Sequence, residues 1–425
     1  MNFQAVKGTR DFYPDAMRLR NWITDAWRRV SLRNGFEEYD SPIFEYLDLF
    51  TAKSGPEIAD QLFSFTDRGG RNLAIRPEMT PSLARMVNAK ISSLPRPVKW
   101  FAVGRACRAE NPQKGRLREF FQWNIDIIGE DSPVADAECI FVAVDLLREI
   151  GLTPREAVVR VGSRQVLVAA LRAAGVEPGK MDDALTILDR RPKLTDEQFR
   201  KLLQAGGLTE AQMQAASRLQ VCRTLEEAQA ATAGVEGLQG ALGELRRLWQ
   251  YLDAFGVAPW CRLDLGIVRA LAYYTGIVWE VFDAANSLRA VAGGGRYDDL
   301  LEVLGGPKVG GTGFGMGDVV LGILLEEKGK LPADLRSQRL DFFVVDAEEG
   351  QPDKVLEVAA ALRGHGLSAD FSYKRQSIGK QLKEANRRGA ARAAIVKKDT
   401  VTVKDLASGS QQDRLLADFL ARPIA

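Results

Sequence analysis

A chain of 425 residues exceeds what one hydrophobic core usually serves, so two or more domains are expected. Its 46% hydrophobic and 27% charged residues fit an ordinary soluble globular protein, and 58 basic against 56 acidic residues leave a net charge of only +2, which advertises no polyanionic partner globally. The single histidine, His365, excludes a Ser-His-Asp triad, an H-E-x-x-H helix and a histidine-rich metal site, and no stretch approaches the roughly 20 apolar residues of a membrane span. In chain order, Leu19, Trp22, Ile23, Trp27 and Val30 recur at helical spacing, so an amphipathic helix is predicted over Met17 to Leu32, stopped by Gly35. GFEEYDSPIFEYLDLF and NLAIRPEMTPSLARMV read as short strands and a helix. VKWFAVGRACRAE and FQWNIDIIG then read as two strands joined by the turn-rich loop NPQKGRL, a β-hairpin. From Phe121 to Ile127 polar and apolar residues alternate, which turns Gln122, Asn124 and Asp126 to one face. Taken alone, such a row is more often a solvated sheet face than a site.

Residues 134–150 read as helix, and residues 153–255, rich in Ala, Leu, Glu, Gln and Arg with few aromatics, as a mostly helical insertion. Strand signals with glycine-rich turns return over 262–317, followed by an apolar helix through Leu325. Residues 328–339 read as a polar linker, and from 340 to 425 strands and helices alternate as a small α/β domain. The expected fold class is therefore α/β in the mixed α+β sense, with a catalytic-sized domain over 1–327. Glycine clusters invite a nucleotide reading, but GTGFGMG fails G-x-G-x-x-G in either frame, and neither G-x-x-x-x-G-K-[ST] nor G-x-S-x-G occurs. Four scattered cysteines without a C-x-x-C, and an N-terminus without an apolar h-region, lead to the expectation of reduced thiols in a cytoplasmic protein.

Five segments, taken in order, carry a resemblance. KGTRDFYP with the long helix and YDSPIFEYLDLF, RPEMTPSLAR, RACRAENPQKGRLREFFQWNIDIIG, VRALAYYTG with GGGRYDDL, and the last domain with VTVKDLASG are together similar to the class II aminoacyl-tRNA synthetases. Within that class the chain resembles the histidyl-tRNA synthetase family over essentially its whole length. The resemblance implies a class II catalytic domain, a helical insertion, an anticodon-binding-like terminal domain, and a homodimer built on the first segment, with Trp22 and Trp27 forming one stripe of its helix. It implies activation of histidine with ATP to histidyl-adenylate and transfer to tRNA(His), with Mg²⁺ bridging the phosphates on ligands the sequence does not identify.

Roles follow from the same resemblance. Arg108 matches the arginine that grips the α-phosphate, Glu110 a group at the adenine end, Arg116 one that reaches the outer phosphates, and Arg269 a second catalytic arginine. Glu78 and Thr80 match groups at the α-amino end, Gln122 one near the amino and carboxylate groups, and Tyr273 and Tyr274 the paired tyrosines. Asp126 falls where most members carry a glutamate that accepts from the imidazole. Ala272 and Val320 depart from the pattern. Val320 stands where the family has an arginine at the γ-phosphate; LAYYTGIV and GFGMGD resemble a branch of the family similar to plant organellar enzymes, and Arg289 is the expected replacement cation. A histidine-sensing regulatory paralogue of the ATP phosphoribosyltransferase type is the alternative, and it would lack the phosphate arginines and the terminal domain that this sequence keeps. Between Ser372 and Lys404 ten Lys or Arg face two acidic residues, a local excess suited to RNA phosphates.

Overall fold

Helix α1 (Pro14–Arg33) starts three residues before the periodic apolar pattern, because Pro14 at its first turn presets φ and lacks an N–H that would go unpaired there. A computed structural model describes residues 3–423 apart from 55–60, 192–193, 234, 236, 268–272, 334, 336–339, 348–351 and 375. The chain packs as two units, Met1–Leu331 and Pro332–Ala425. After α1 come β1 (Glu37–Glu38), β2 (Phe44–Tyr46), α2 (Leu47–Ser54), β3 (Ser64–Thr66) and β4 (Asn72–Ile75). Strands β2, β4 and β3 pair antiparallel as a small sheet of their own. Helix α3 (Thr80–Lys90) precedes the hairpin of β5 (Val98–Cys107) and β6 (Glu119–Ile128), where the sequence places it.

Helix α4 (Pro133–Glu149) is followed by β7 (Ala157–Ser163), and only then by the helical run α5 (Arg164–Ala173), α6 (Met181–Arg190), α7 (Asp196–Ala205), α8 (Glu210–Val221), α9 (Leu225–Ala231) and α10 (Leu238–Ala254). Residues 157–163 are thus strand, although composition alone folds them into the helical stretch. Their alternation of Val with Arg160 and Gly162 is a short period-2 signal beside a long Ala-rich one, and pairing with the strand Ile277–Asp283 decides it. The unit closes with β8 (Cys261–Leu263), β9 (Ile277–Asp283), β10 (Ala292–Arg296), α11 (Leu300–Val303), β11 (Gly311–Gly317) and α12 (Asp318–Glu327).

Eight strands form the main sheet in the order β1-β5-β6-β11-β10-β9-β7-β8, antiparallel except at its two ends. One face carries Trp123, Ile125, Trp279, Phe314 and Met316 against α1, α4 and α12, which makes the principal core. Trp27 is fully buried there, stacked 6.1 Å from Trp123, whose Nε1 donates to Ser31 Oγ at 2.9 Å. The expected tryptophan stripe is corrected by this packing. Trp27 and Trp22 serve the core of their own chain, and the exposed apolar side chains nearby are instead Tyr13, Leu32, Ile43, Phe44, Tyr46 and Phe65.

The second unit is a five-stranded sheet of β12 (Leu340–Asp346), β13 (Ala369–Phe371), β14 (Ala390–Val396), β15 (Thr400–Asp405) and β16 (Gln411–Leu415), in the order β13-β12-β14-β15-β16. Helices α13 (Pro352–Gly364), α14 (Ile378–Arg387) and α15 (Leu416–Ala421) cover it. Phe342 and Val344 face one core and Phe343 and Val345 another, the alternation expected of a strand buried on both sides. Among the described residues no helix is long and apolar enough to cross a membrane.

Candidate active site

The second face of the main sheet holds a cavity, and its floor is set by one register. Gln122, Asn124 and Asp126 of β6 stand directly opposite Gly317, Gly315 and Gly313 of β11. Side chains opposite one another across antiparallel strands share a face, so these glycines leave the polar row unobstructed. A Cβ on Gly315 would come within 2.5 Å of Gln122 Nε2, and one on Gly313 would collide with Asp126 Oδ1. GTGFGMG is therefore a device for close packing on one face, while Phe314 and Met316 fill the core on the other.

At the inner end of the cavity, Tyr273 donates to Glu78 Oε2 at 2.7 Å, and Thr80, in the first turn of α3, borders the same space. Gly295 lets the ring of Tyr274 lie on the sheet, since a Cβ there would stand 2.9 Å from the ring. Gln122 and Asn124 line the wall, with Gln122 Oε1 and Asn124 Oδ1 buried and without a hydrogen-bond partner in the protein. Asp126 lies behind that wall rather than in it. It is 2% exposed, accepts a hydrogen bond from the Tyr297 hydroxyl on Oδ1, and leaves Oδ2 unpartnered. Burial pushes its carboxyl up to about 7, with the nearby Glu78 charge adding and the Tyr297 hydrogen bond opposing.

At the outer end the chemistry is cationic. Arg108 follows β5, donates from Nε to Pro77 O at 3.1 Å and lays its guanidinium 5.4 Å from the Phe120 ring centroid. Arg116, in the hairpin loop, pairs with Glu110 at 2.6 Å. Burial lowers the Arg116 pKa from its ordinary value, Glu110 opposes, and the neighbouring charge of Arg289 lowers it further. Arg289 borders the cavity beside Gly115, and Val320 closes the same wall, its methyl 3.3 Å from where a Cβ on Gly115 would stand. Arg108 and Arg289 make no ion pair among the described residues, so each guanidinium is left for an anion from outside.

Nine of the expected positions thus border one cavity: Glu78, Thr80, Arg108, Glu110, Arg116, Gln122, Tyr273, Tyr274 and Arg289. Asp126 adjoins it through Tyr297, and Arg269 lies outside the described residues. Three polar lining residues have no role in the sequence reading, namely Asn124, Glu280 and Tyr297. The first sits in the alternating polar row, and Tyr297 belongs to GGGRYDDL, so both were within motifs already singled out. Glu280 alternates with apolar residues on β9 and carried no distinguishing signal. The arrangement suits a ligand with a polar or cationic end among Glu78, Gln122 and Asn124 and a polyanionic end among the arginines.

The family model described as histidyl-tRNA synthetase matches residues 8–317, and one described as anticodon binding domain matches residues 341–422. A histidine–tRNA ligase of Opitutus terrae is 41% identical over 419 residues, 97% of this chain and 95% of that protein. The chloroplastic/mitochondrial histidine–tRNA ligase of Arabidopsis thaliana is 39% identical over 418 residues, 97% of this chain and 85% of that one. In fold, the crystal structure of histidyl-tRNA synthetase from a Nostoc species is similar with a TM-score of 0.79 over 100% of both chains, at 23% identity.

Proposed function

We propose, from the premise that the chain belongs to the histidyl-tRNA synthetase family and is a histidine–tRNA ligase, how this cavity performs the reaction. A carboxylate oxygen of histidine attacks the α-phosphorus of ATP, the bond to the bridging oxygen breaks, and pyrophosphate leaves with the bonding electrons. The attacking group is already ionised at neutral pH, so this step needs no general base. It needs fixed positive charge. Arg108 stabilises the negative charge that spreads over the α-phosphoryl oxygens, and Arg269 is assigned the same role from the family resemblance. Arg116 and Arg289 hold the outer phosphates, and Glu110, held by Arg116, faces the adenine. ATP enters as its magnesium complex, the metal travelling on the triphosphate.

Histidine lies at the opposite end. Glu78, oriented by Tyr273, and Thr80 take its ammonium group; Gln122 contacts the amino and carboxylate end; Tyr274 and the Tyr297–Asp126 pair enclose the ring. The 3′-terminal hydroxyl of tRNA(His) then attacks the carbonyl carbon of the adenylate and AMP leaves. The observation that carries this reading is the pairing, within one cavity, of two uncommitted guanidinium groups with a row of unpartnered polar atoms. Histidine-dependent exchange of pyrophosphate into ATP tests it. Exchange with histidine and not with other amino acids is expected, and its absence overturns the reading.

The second unit binds tRNA in the same proposal, supported by the anticodon-domain match and by exposed Lys380, Lys383 and Arg387 along one side of α14. Phosphate contacts release counterions, so tRNA affinity should fall steeply with salt, and Glu substitutions at these three positions should flatten the slope. A homodimer is supported by the first-segment resemblance and by exposed Ile43, Phe44, Tyr46 and Phe65, and light scattering at micromolar concentration should give twice the chain mass. Four free cysteines, three of them buried, support a cytoplasmic setting.

A further inference from the structure

KGTRDFYP, near the start of the chain, and the aspartate of GFGMGD both stand outside the cavity, yet the fold joins them to each other. Asp318 opens α12, two residues before the Val320 that walls the outer end of the cavity, and is 5% exposed. Its Oδ2 accepts from Arg10 Nη2 at 2.7 Å, and its Oδ1 accepts from the backbone N–H of Phe121 on β6 at 2.9 Å. Two residues before Arg10, the carbonyl of Gly8 accepts from the backbone N–H of Arg118 at 2.8 Å, where the hairpin loop runs into β6. Gly8 has a φ of 89°, and a Cβ on it would stand 2.7 Å from Pro112 Cγ, so the segment lies directly on the loop. Arg118 closes the contact, its Nε donating to Glu110 O at 3.1 Å and its Nη1 to Lys7 O at 3.5 Å. Between these anchors the loop carries the Arg116–Glu110 pair, and its Gly115 lies beside Val320 and Arg289.

We propose that the segment from Lys7 to Arg10 is a tie that sets the outer-phosphate end of the cavity, with Arg10 a positioning residue that acts through Arg116. This rests on the reading that the outer end holds ATP. At Asp318 the tie fixes the first turn of α12, and with it Val320, to β6; at Gly8 it fixes the end of the loop that carries Arg116. Breaking the Arg10–Asp318 pair strands a buried carboxylate, so the pair holds its geometry firmly. Phe12 extends the contact, its ring 4.8 Å from the Arg10 guanidinium and edge-on to Phe121 at 5.9 Å. A guanidinium stabilises phosphate charge best when it is already in place and need not reorganise. Loosening the tie therefore weakens the hold on ATP and spares the histidine end, where Glu78 and Thr80 stand at the start of α3.

The test uses the full-length protein, with Arg10→Met, Arg10→Lys and Asp318→Asn beside the wild type, and Arg116→Ala alone and combined with Arg10→Met. In histidine-dependent pyrophosphate exchange, Arg10→Met should raise KM for ATP roughly tenfold while KM for histidine stays within about twofold. Arg10→Lys keeps the charge and should bring KM for ATP back to within about threefold of the wild type. Asp318→Asn keeps the acceptor for the Phe121 N–H but loses the charge that holds Arg10; it should show the same split, and it stands in if Arg10→Met does not fold. In the Arg116→Ala background, Arg10→Met should add less than about twofold, because residues that act through one group are not additive. Trypsin cleavage of the native protein after Lys114 and Arg116 should quicken about tenfold in Arg10→Met, since a loosened loop opens more often. Equal rises in KM for ATP and histidine, full additivity with Arg116→Ala, or unchanged trypsin cleavage would each overturn the inference. A wild type without histidine-dependent exchange would instead overturn the functional reading on which it rests, and the trypsin comparison would still decide whether the tie holds the loop.

Discussion

Two groups of buried polar side chains occupy the same sheet and are treated in opposite ways. Arg296, at the end of β10, donates to Asp136 Oδ2 from Nε at 2.9 Å and from Nη2 at 2.6 Å, to Asp298 at 3.1 Å, and to the carbonyls of Glu130 and Ser132. Thr312 completes the group by donating to Asp136 Oδ1 at 2.7 Å. Every strong acceptor there has a donor. Across the sheet, Gln122 Oε1, Asn124 Oδ1 and Asp126 Oδ2 are as deeply placed and have none. The first group is closed and holds β10 and β11 to the N-terminal turn of α4; the second is open, its acceptors unmet within the protein, and Gln122 and Asn124 border the cavity. Saturation, rather than polarity or burial, separates structure from function in this sheet.

Breaking the closed group should give the largest effect, and on stability. Asp136→Ala leaves the Arg296 guanidinium buried without its main partner and should cost about 3 to 5 kcal/mol in denaturant unfolding. A loss under about 1 kcal/mol would mean that the network is not saturated in solution.

The open group carries a stability cost that depends on pH. A carboxyl raised from 3.8 to about 7 on folding binds a proton more readily in the native state, so the native state loses stability as pH rises between those values. The cost is absent below the lower value and complete above the upper one. Asp126→Asn removes it, so the variant should gain on the wild type across that window by up to roughly 4 kcal/mol. Parallel stability curves from pH 4 to pH 8 would contradict the assignment of Asp126 to the open group.

Among the described residues Arg108 makes one hydrogen bond and no ion pair, which places it with the open group. Arg108→Ala should therefore leave unfolding nearly unchanged while lowering histidine-dependent exchange about 10²- to 10³-fold, or about 2.7 to 4 kcal/mol. Loss of stability with exchange intact would move it to the closed group. The smallest effect is expected at Arg289, whose proposed partner is an outer phosphate shared with Arg116. Arg289→Ala should raise KM for ATP by about tenfold, near 1.4 kcal/mol, with KM for histidine unmoved. If KM for ATP does not change, Val320 has no compensating cation at this position.

Much of this was legible in local pattern. The alternation through residues 119–128 announces a strand with a polar face, NPQKGRL its turn, and the spaced glycines of GTGFGMG a close approach, because each signal is set by neighbours two to seven residues away. The order of the motifs likewise pointed to the family before any contact was known. Other assignments needed the fold. Trp27 fits an exposed stripe as well as a buried one until Trp123, ninety-six positions later, stacks on it. Arg296 looks like one more arginine of a glycine turn until α4 brings Asp136 to it from 160 residues away. Asp126 and Asn124 are equivalent in the alternation, and only the β6–β11 register, joining residues nearly two hundred apart, puts one behind Tyr297 and the other at the cavity wall. The sequence by itself determined which side chains share a face, since backbone geometry fixes that locally. Which of them find a partner was decided by tertiary packing, because a hydrogen bond requires that two groups meet, and here the second group comes from a distant segment.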